Sequence, residues 1–132
     1  MVKSINITYE TLFDMLRNEK SREELQKLDD SFFEDLIQYI SDKKQLISQD
    51  KDSEFFSGLE KEKTVKQLKN IKKLVRELYE RREKKIVNMA LISSRTGSIL
   101  DDSALLKEEK QLLIPYIQDF KKTSQRMILK TY

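Results

Sequence analysis

The sequence predicts an all-α fold, an elongated bundle of four to five helices around one long helix, on three observations. Only two glycines and one proline occur in 132 residues, so the usual punctuation of turns and strands is almost missing. Charged residues (37%) and hydrophobic residues (38%) are nearly equal and interleaved. From Val65 onward, apolar side chains recur at three-and-four spacing, which places them on one side of a helix. A disordered polyampholyte would not carry such a repeating face. The length suits one domain, residues 1–132, and is short for two.

Met1 to Ile7 alternates weakly and reads as extended. Thr8 is the N-cap of a first helix from about Tyr9 to Lys20, in which Tyr9, Leu12, Phe13 and Leu16 form one apolar face. Ser21 and Glu24 have the spacing of a capping box, which predicts a second short helical piece carrying Leu25 and Leu28. Ser31 and Glu34 repeat that spacing before Phe33, Leu36, Ile37 and Ile40, predicting a helix over about 31–48. Gln49 to Ser53 holds no apolar residue and reads as a surface loop, with helix resuming around Glu54. Gly58, together with the Thr64 and Gln67 capping pair, marks a candidate break over 58–64.

The spine is a helix over 64–93. Val65, Leu68, Ile71, Val75, Leu78, Ile86 and Met89 keep the helical period, with Arg82 standing where the stripe would continue. Between Ile86 and Ile92 hardly any polar face remains, so that end belongs in a core or a subunit interface. Ser93 to Ser98, with Gly97, is the stop, and Asp101 to Ser103 caps a last helical region. That region holds Leu105, Leu106, Leu112, Leu113, Ile117, Phe120, Met127 and Ile128, and Pro115 inside it predicts a kink or a split. Leu78, Ile86, Met89, Leu112 and Ile117 are the candidate buried seam, in core or interface.

Several functions lose their parts. The chain has no cysteine, hence no disulfide, thiolate metal site or thiol nucleophile, and no histidine, the commonest general base near neutral pH. The longest apolar runs, around Ile86 to Ile92 and Leu112 to Ile117, fall far short of the ~18 residues of a membrane span, and a cytoplasmic protein is expected. Asp29/Asp30, Asp101/Asp102 and Glu108/Glu109 are neighbours in sequence, so on a helix their carboxylates do not face one another. No enzyme, cofactor or metal site is expected.

Charge is unevenly placed. Residues 1–60 carry 8 basic and 14 acidic side chains, and residues 61–132 carry 18 and 9, within a total of +3. From Lys63 to Lys85 there are ten basic and three acidic residues. Lys66, Lys69, Lys73 and Arg76 share one side of the long helix, a candidate basic face for a phosphate backbone or, more plainly, a solvated surface. No aromatic residue is interleaved to stack on bases; Tyr79 lies beyond the lysines.

The densest signal is Leu78 to Leu91, LYERREKKIVNMAL. An Arg in an apolar stripe buries its stem and pairs its guanidinium, so Arg82 is a candidate buried ion pair with an acidic partner in the first 60 residues. This block, followed by Ser93-Ser94-Arg95, resembles the helical A domain of GINS subunits. The opening, TYETLFDMLRNEKSREELQKLDDSFFEDLIQYI from Thr8 to Ile40, is similar to the archaeal pattern of a first helix, a charged LQKL link and an acidic start to the second. Together the likeness covers roughly Ile7 to Leu129. In the family this domain continues through a linker into a small β-rich B domain, for which these residues leave no room.

What the resemblance implies is a non-catalytic, nucleoid-associated scaffold of DNA replication. It would pack with other GINS subunits into a homo- or hetero-tetramer, bridge the MCM replicative helicase and a RecJ-like partner, and stimulate unwinding, with at most weak DNA contact. Two other readings compete with it: an independent nucleic-acid-binding module using residues 63–85, and a generic helical adaptor.

Overall fold

A computed structural model of the protein describes residues 7–48, 58–97 and 101–131, with side chains through residue 126. The extended reading of residues 1–6, the loop at Gln49 to Ser53, the restart at Glu54 and the side chains of Met127 and Ile128 lie outside the described residues. Within them the chain is all-α, with four helices and no strand: α1 (Tyr9–Ser21), α2 (Phe32–Ser48), α3 (Gly58–Thr96) and α4 (Lys107–Thr131). None of the described helices is long and apolar enough to cross a membrane.

The starts of α1 and α2 are fixed by local side-chain caps. At the start of α1 the Thr8 hydroxyl accepts the Thr11 N–H at 3.2 Å, and the Thr11 hydroxyl accepts the Thr8 N–H at 2.8 Å. This is a reciprocal cap that satisfies two otherwise orphaned donors. Ahead of α2, Asp29 Oδ1 accepts the Ser31 N–H at 3.1 Å and the Asp29 carbonyl accepts the Phe32 N–H at 2.9 Å. The Ser31 hydroxyl reaches Asp35 Oδ2 at 2.8 Å.

The short helical piece expected after Ser21 does not form. Ser21 is the last residue of α1, and residues 22–30 are irregular. The expected break at 58–64 is also absent, because the Thr64 hydroxyl bonds back to the Glu60 carbonyl at 3.0 Å inside a continuous 39-residue α3. The stop at Gly97 forms as read from the sequence. Its N–H bonds the Ser93 carbonyl at 2.9 Å and its φ of 67° is the left-handed conformation that glycine takes most cheaply.

The cap of α4 sits later than Asp101 to Ser103, which form a turn in which Asp101 Oδ1 accepts the Ser103 N–H at 3.1 Å. The capping pair is Leu106 and Glu109: the Leu106 N–H donates to Glu109 Oε1 at 2.8 Å, and the Leu106 carbonyl accepts the Glu109 N–H at 2.9 Å. Pro115 lies within α4 without splitting it. Gln111, whose carbonyl the proline cannot serve, is exposed, as is Pro115, so water can take that acceptor.

The chain divides into two compact units, Met1–Asn18 with Asp29–Tyr79, and Glu19–Leu28 with Glu80–Tyr132. The first buries Ile7, Leu12, Leu16, Phe32, Leu36, Leu68, Ile71 and Leu78. Within it Lys43 Nζ of α2 donates to Gln67 Oε1 of α3 at 3.4 Å. The second is built on Ile86, Ala90, Leu105 and Leu113, with Leu25, Tyr116, Ile117 and Phe120 packed against them.

This cluster sets the register of α4 and leaves one member of the expected seam, Leu112, outside the core. Leu113, Ile117 and Phe120 fall at i, i+4 and i+7 and face Ile86, whereas Leu112 is rotated by about 100° and is 40% exposed. Leu113→Ala is therefore expected to cost about 2–5 kcal/mol by removing core volume. Leu112→Ala should stay within about 0.5 kcal/mol. Urea unfolding of the two variants checks the register, and the reverse order would place Leu112 in the core.

Candidate functional site

Helical spacing alone puts two opposite charges on apolar stripes. In α1, Leu12, Leu16 and Glu19 stand at i, i+4 and i+7; in α3, Leu78, Arg82 and Ile86 do the same at i, i+4 and i+8. Both charges follow their stripes inward, leaving Glu19 1% exposed and Arg82 3% exposed. All the groups they meet belong to the second unit.

The guanidinium is fully used. Arg82 Nη1 donates to Glu19 Oε1 at 2.8 Å and to the Gln26 carbonyl at 2.6 Å. Nε and Nη2 take the two Glu109 oxygens at 2.7 Å each, a bidentate pair, and Nη2 also reaches the Ala104 carbonyl at 3.1 Å. One turn away, Lys85 Nζ donates to Glu19 Oε2 at 2.7 Å, to the Glu19 carbonyl at 2.7 Å and to the Glu24 carbonyl at 2.9 Å. The Gln26 N–H closes the ring on Glu19 Oε2 at 3.0 Å.

These bonds explain why residues 22–28 are not helical. A helical turn there would need the carbonyls of Glu24 and Gln26 for its own ladder, but Lys85 and Arg82 already hold them. The side chains of α3 take the place of backbone partners. In the same way the Ala104 carbonyl is held before α4 begins, and Glu109 both caps α4 and grips Arg82.

Burial drives the Glu19 carboxyl upward, yet the hydrogen bonds from Lys85, the Gln26 N–H and Arg82, with the charge of Arg82, outweigh it and hold the group below its ordinary range. Burial pulls the Arg82 guanidinium down, and the bonds and charges of Glu109 and then Glu19 push it above its usual value, so it stays charged. Both shifts favour the charged forms of Glu19 and Arg82. The arrangement can hold backbone in place.

The remaining sequence candidates are distributed as follows. Leu78 is buried in the first unit and Ile86 in the second, where Ile117 packs on the same cluster; Met89 is half-buried. Leu112 is on the surface. Lys66, Lys69, Lys73 and Arg76 are all exposed in the first unit. Among the acidic neighbours, Asp29 caps α2 and Glu109 binds Arg82, and no group of three acidic side chains that could hold a metal ion occurs among the described residues.

Sequence reasoning missed Glu19, Lys85 and Glu109. Glu19 carried the same signal as Arg82, a charge on an apolar stripe. Glu109 carried none, because Leu106, three residues before it, is not a residue type that caps a helix.

No family model, curated protein or solved structure matches the chain.

Removing one partner of a buried, fully bonded charge leaves the others unpaired, so Arg82→Ala is expected to lose about 3–5 kcal/mol of unfolding free energy. An unchanged thermal midpoint would show that the network contributes nothing. Because the folded Glu19 carboxyl lies below its unfolded value, its contribution is complete above the unfolded pKa and is lost as pH falls through the folded one. Unfolding followed from pH 7 down to pH ~2 should show a loss of stability beginning near the ordinary glutamate pKa of ~4.3. That loss should be shallower in Glu19→Gln.

Proposed function

We propose that this chain is a non-catalytic scaffold subunit of a GINS-like DNA replication complex. In this reading it packs against other subunits through its helical faces, bridges the MCM replicative helicase and a RecJ-like partner, and stimulates unwinding by holding them together. The resemblance carried by Leu78 to Leu91 and by Thr8 to Ile40 motivates the family. The observation that carries the scaffold role is the amount of apolar side chain left on the outside of helices whose opposite faces are buried.

On α1, Leu12 and Leu16 are buried while Tyr9 and Phe13, one turn apart, stand 41% and 48% exposed over an open hollow of ≈ 300 Å³. On α2, Phe32 and Leu36 are buried while Phe33 and Ile37 stand 44% and 52% exposed. An aromatic pair and an aromatic-aliphatic pair, each at i, i+4 and on consecutive helices of one unit, are more than scattered surface residues and suit a partner helix.

Light scattering coupled to size-exclusion chromatography tests the reading. The expected mass is a multiple of the 15.8 kDa chain, alone or with a complementary GINS chain, returning to the monomer in a Phe13→Asp, Ile37→Asp variant. A chain that stays monomeric at high concentration, ignores a complementary GINS chain and fails to retain the helicase would overturn it.

A further inference from the structure

The exposed side of α3 between Lys63 and Arg76 carries five cations, Lys63, Lys66, Lys69, Lys73 and Arg76, and Lys72 flanks them. At 100° and 1.5 Å per residue, the four from Lys66 to Arg76 lie within an arc of about 80° and over about 15 Å of helix axis. Glu62, Glu77 and Glu80 border this stretch, and none lies inside it. None of these four cations forms an ion pair or a hydrogen bond among the described residues, in contrast to Arg82 and Lys85 on the buried side of the same helix. Four like charges held in a row on one helix repel one another, and a polyanion laid along the row relieves that.

Lys43 of α2 stands apart from this row: its Nζ donates to Gln67 Oε1 at 3.4 Å and rests over the Tyr39 ring at 5.8 Å, and Gln67 lies about 140° around α3 from the centre of the arc. The row is therefore the work of α3 alone.

We infer that this stripe is a sequence-blind docking surface for the phosphate backbone of duplex DNA, independent of how the chain assembles with protein partners. The charge density fits: a duplex carries one negative charge every ~1.7 Å of its axis, so ~15 Å of it holds more phosphates than the four cations can neutralise. The surface has no means of reading bases. Its uncharged members are short or polar, such as Asn70, and Tyr79 lies on another side of the helix, so there is no aromatic platform for unstacked bases. Single strands, which gain most from such stacking, are the poorer ligand.

The test is fluorescence anisotropy of the full chain with a labelled 24-base-pair duplex at 50 and 200 mM salt. With about four phosphates neutralised, log-log salt dependence should have a slope near −3.6, equivalent to ~100-fold weaker binding at the higher salt. Lys66→Glu, Lys69→Glu, Lys73→Glu should abolish binding. Lys121→Glu, Lys122→Glu, Arg126→Glu, which changes net charge equally on exposed positions of α4, should leave most of it. Far-ultraviolet circular dichroism of both variants checks that the helices persist, and the milder Lys66→Gln, Lys73→Gln pair should lower the slope by about 2 if reversal disturbs the fold. The inference is overturned by no binding at 50 mM salt, by equal loss in the two triple variants, by tighter binding of a single strand of equal length, or by stronger competition from polyglutamate than from unlabelled duplex.

Discussion

The structure of the second unit depends on one guanidinium. Arg82 is buried where a hydrocarbon would cost less, and a charge in that position is tolerable only because two carboxylates and two backbone carbonyls surround it. Each of those partners comes from a different stretch of chain: the end of α1, the irregular strap 22–28, the turn before α4 and the first turn of α4. One side chain therefore specifies where four segments sit. A Leu at position 82 would fill the space but leave the Gln26 and Ala104 carbonyls without donors, so what the ion network supplies is a particular arrangement of backbone more than net free energy.

That arrangement also fixes how α4 packs on the second half of α3. The apolar cluster of Ile86, Ala90, Leu105 and Leu113 would close in more than one way if α4 could slide along α3, because leucine and isoleucine packing is forgiving. The bidentate pair between Arg82 and Glu109 permits one register. In the first unit, by contrast, aliphatic burial dominates and the exposed pairs Tyr9/Phe13 and Phe33/Ile37 follow from helical geometry once Leu12, Leu16, Phe32 and Leu36 are inside. The same unit carries both kinds of surface, apolar pairs on α1 and α2 and, on α3, a cationic row with no ion pair among the described residues.

Much of this was legible from residue order, for identifiable reasons. Amphipathic spacing revealed α1, α2 and the long α3, and the rarity of glycine made Gly97 an unambiguous stop. Arg82 was conspicuous because a charge broke an apolar stripe. Its partners were harder to see. Glu19 breaks the α1 stripe in the same way, but it was read as part of an ordinary helix end because Ser21 and Glu24 imitate a capping box; the carbonyls that would have continued the helix are claimed by Lys85 and Arg82 from 56 to 66 residues away. Local pattern has no access to such distant competition. Leu112, Leu113 and Ile114 are three consecutive apolar residues, which carry no phase information, and only the packing of Leu113 with Ile86 shows that it is Leu113 that enters the core.

Native-state hydrogen exchange of two amides examines the Arg82 claim most directly. The Gln26 N–H rests on Glu19 and the Leu106 N–H on Glu109, so both report on carboxylates that Arg82 alone joins. In Arg82→Met the account predicts that both lose protection together, by about tenfold or more, while amides in α2 of the first unit keep theirs. Unchanged protection at Gln26 and Leu106 would contradict it, since the strap and the α4 cap would then be held by something other than the buried guanidinium.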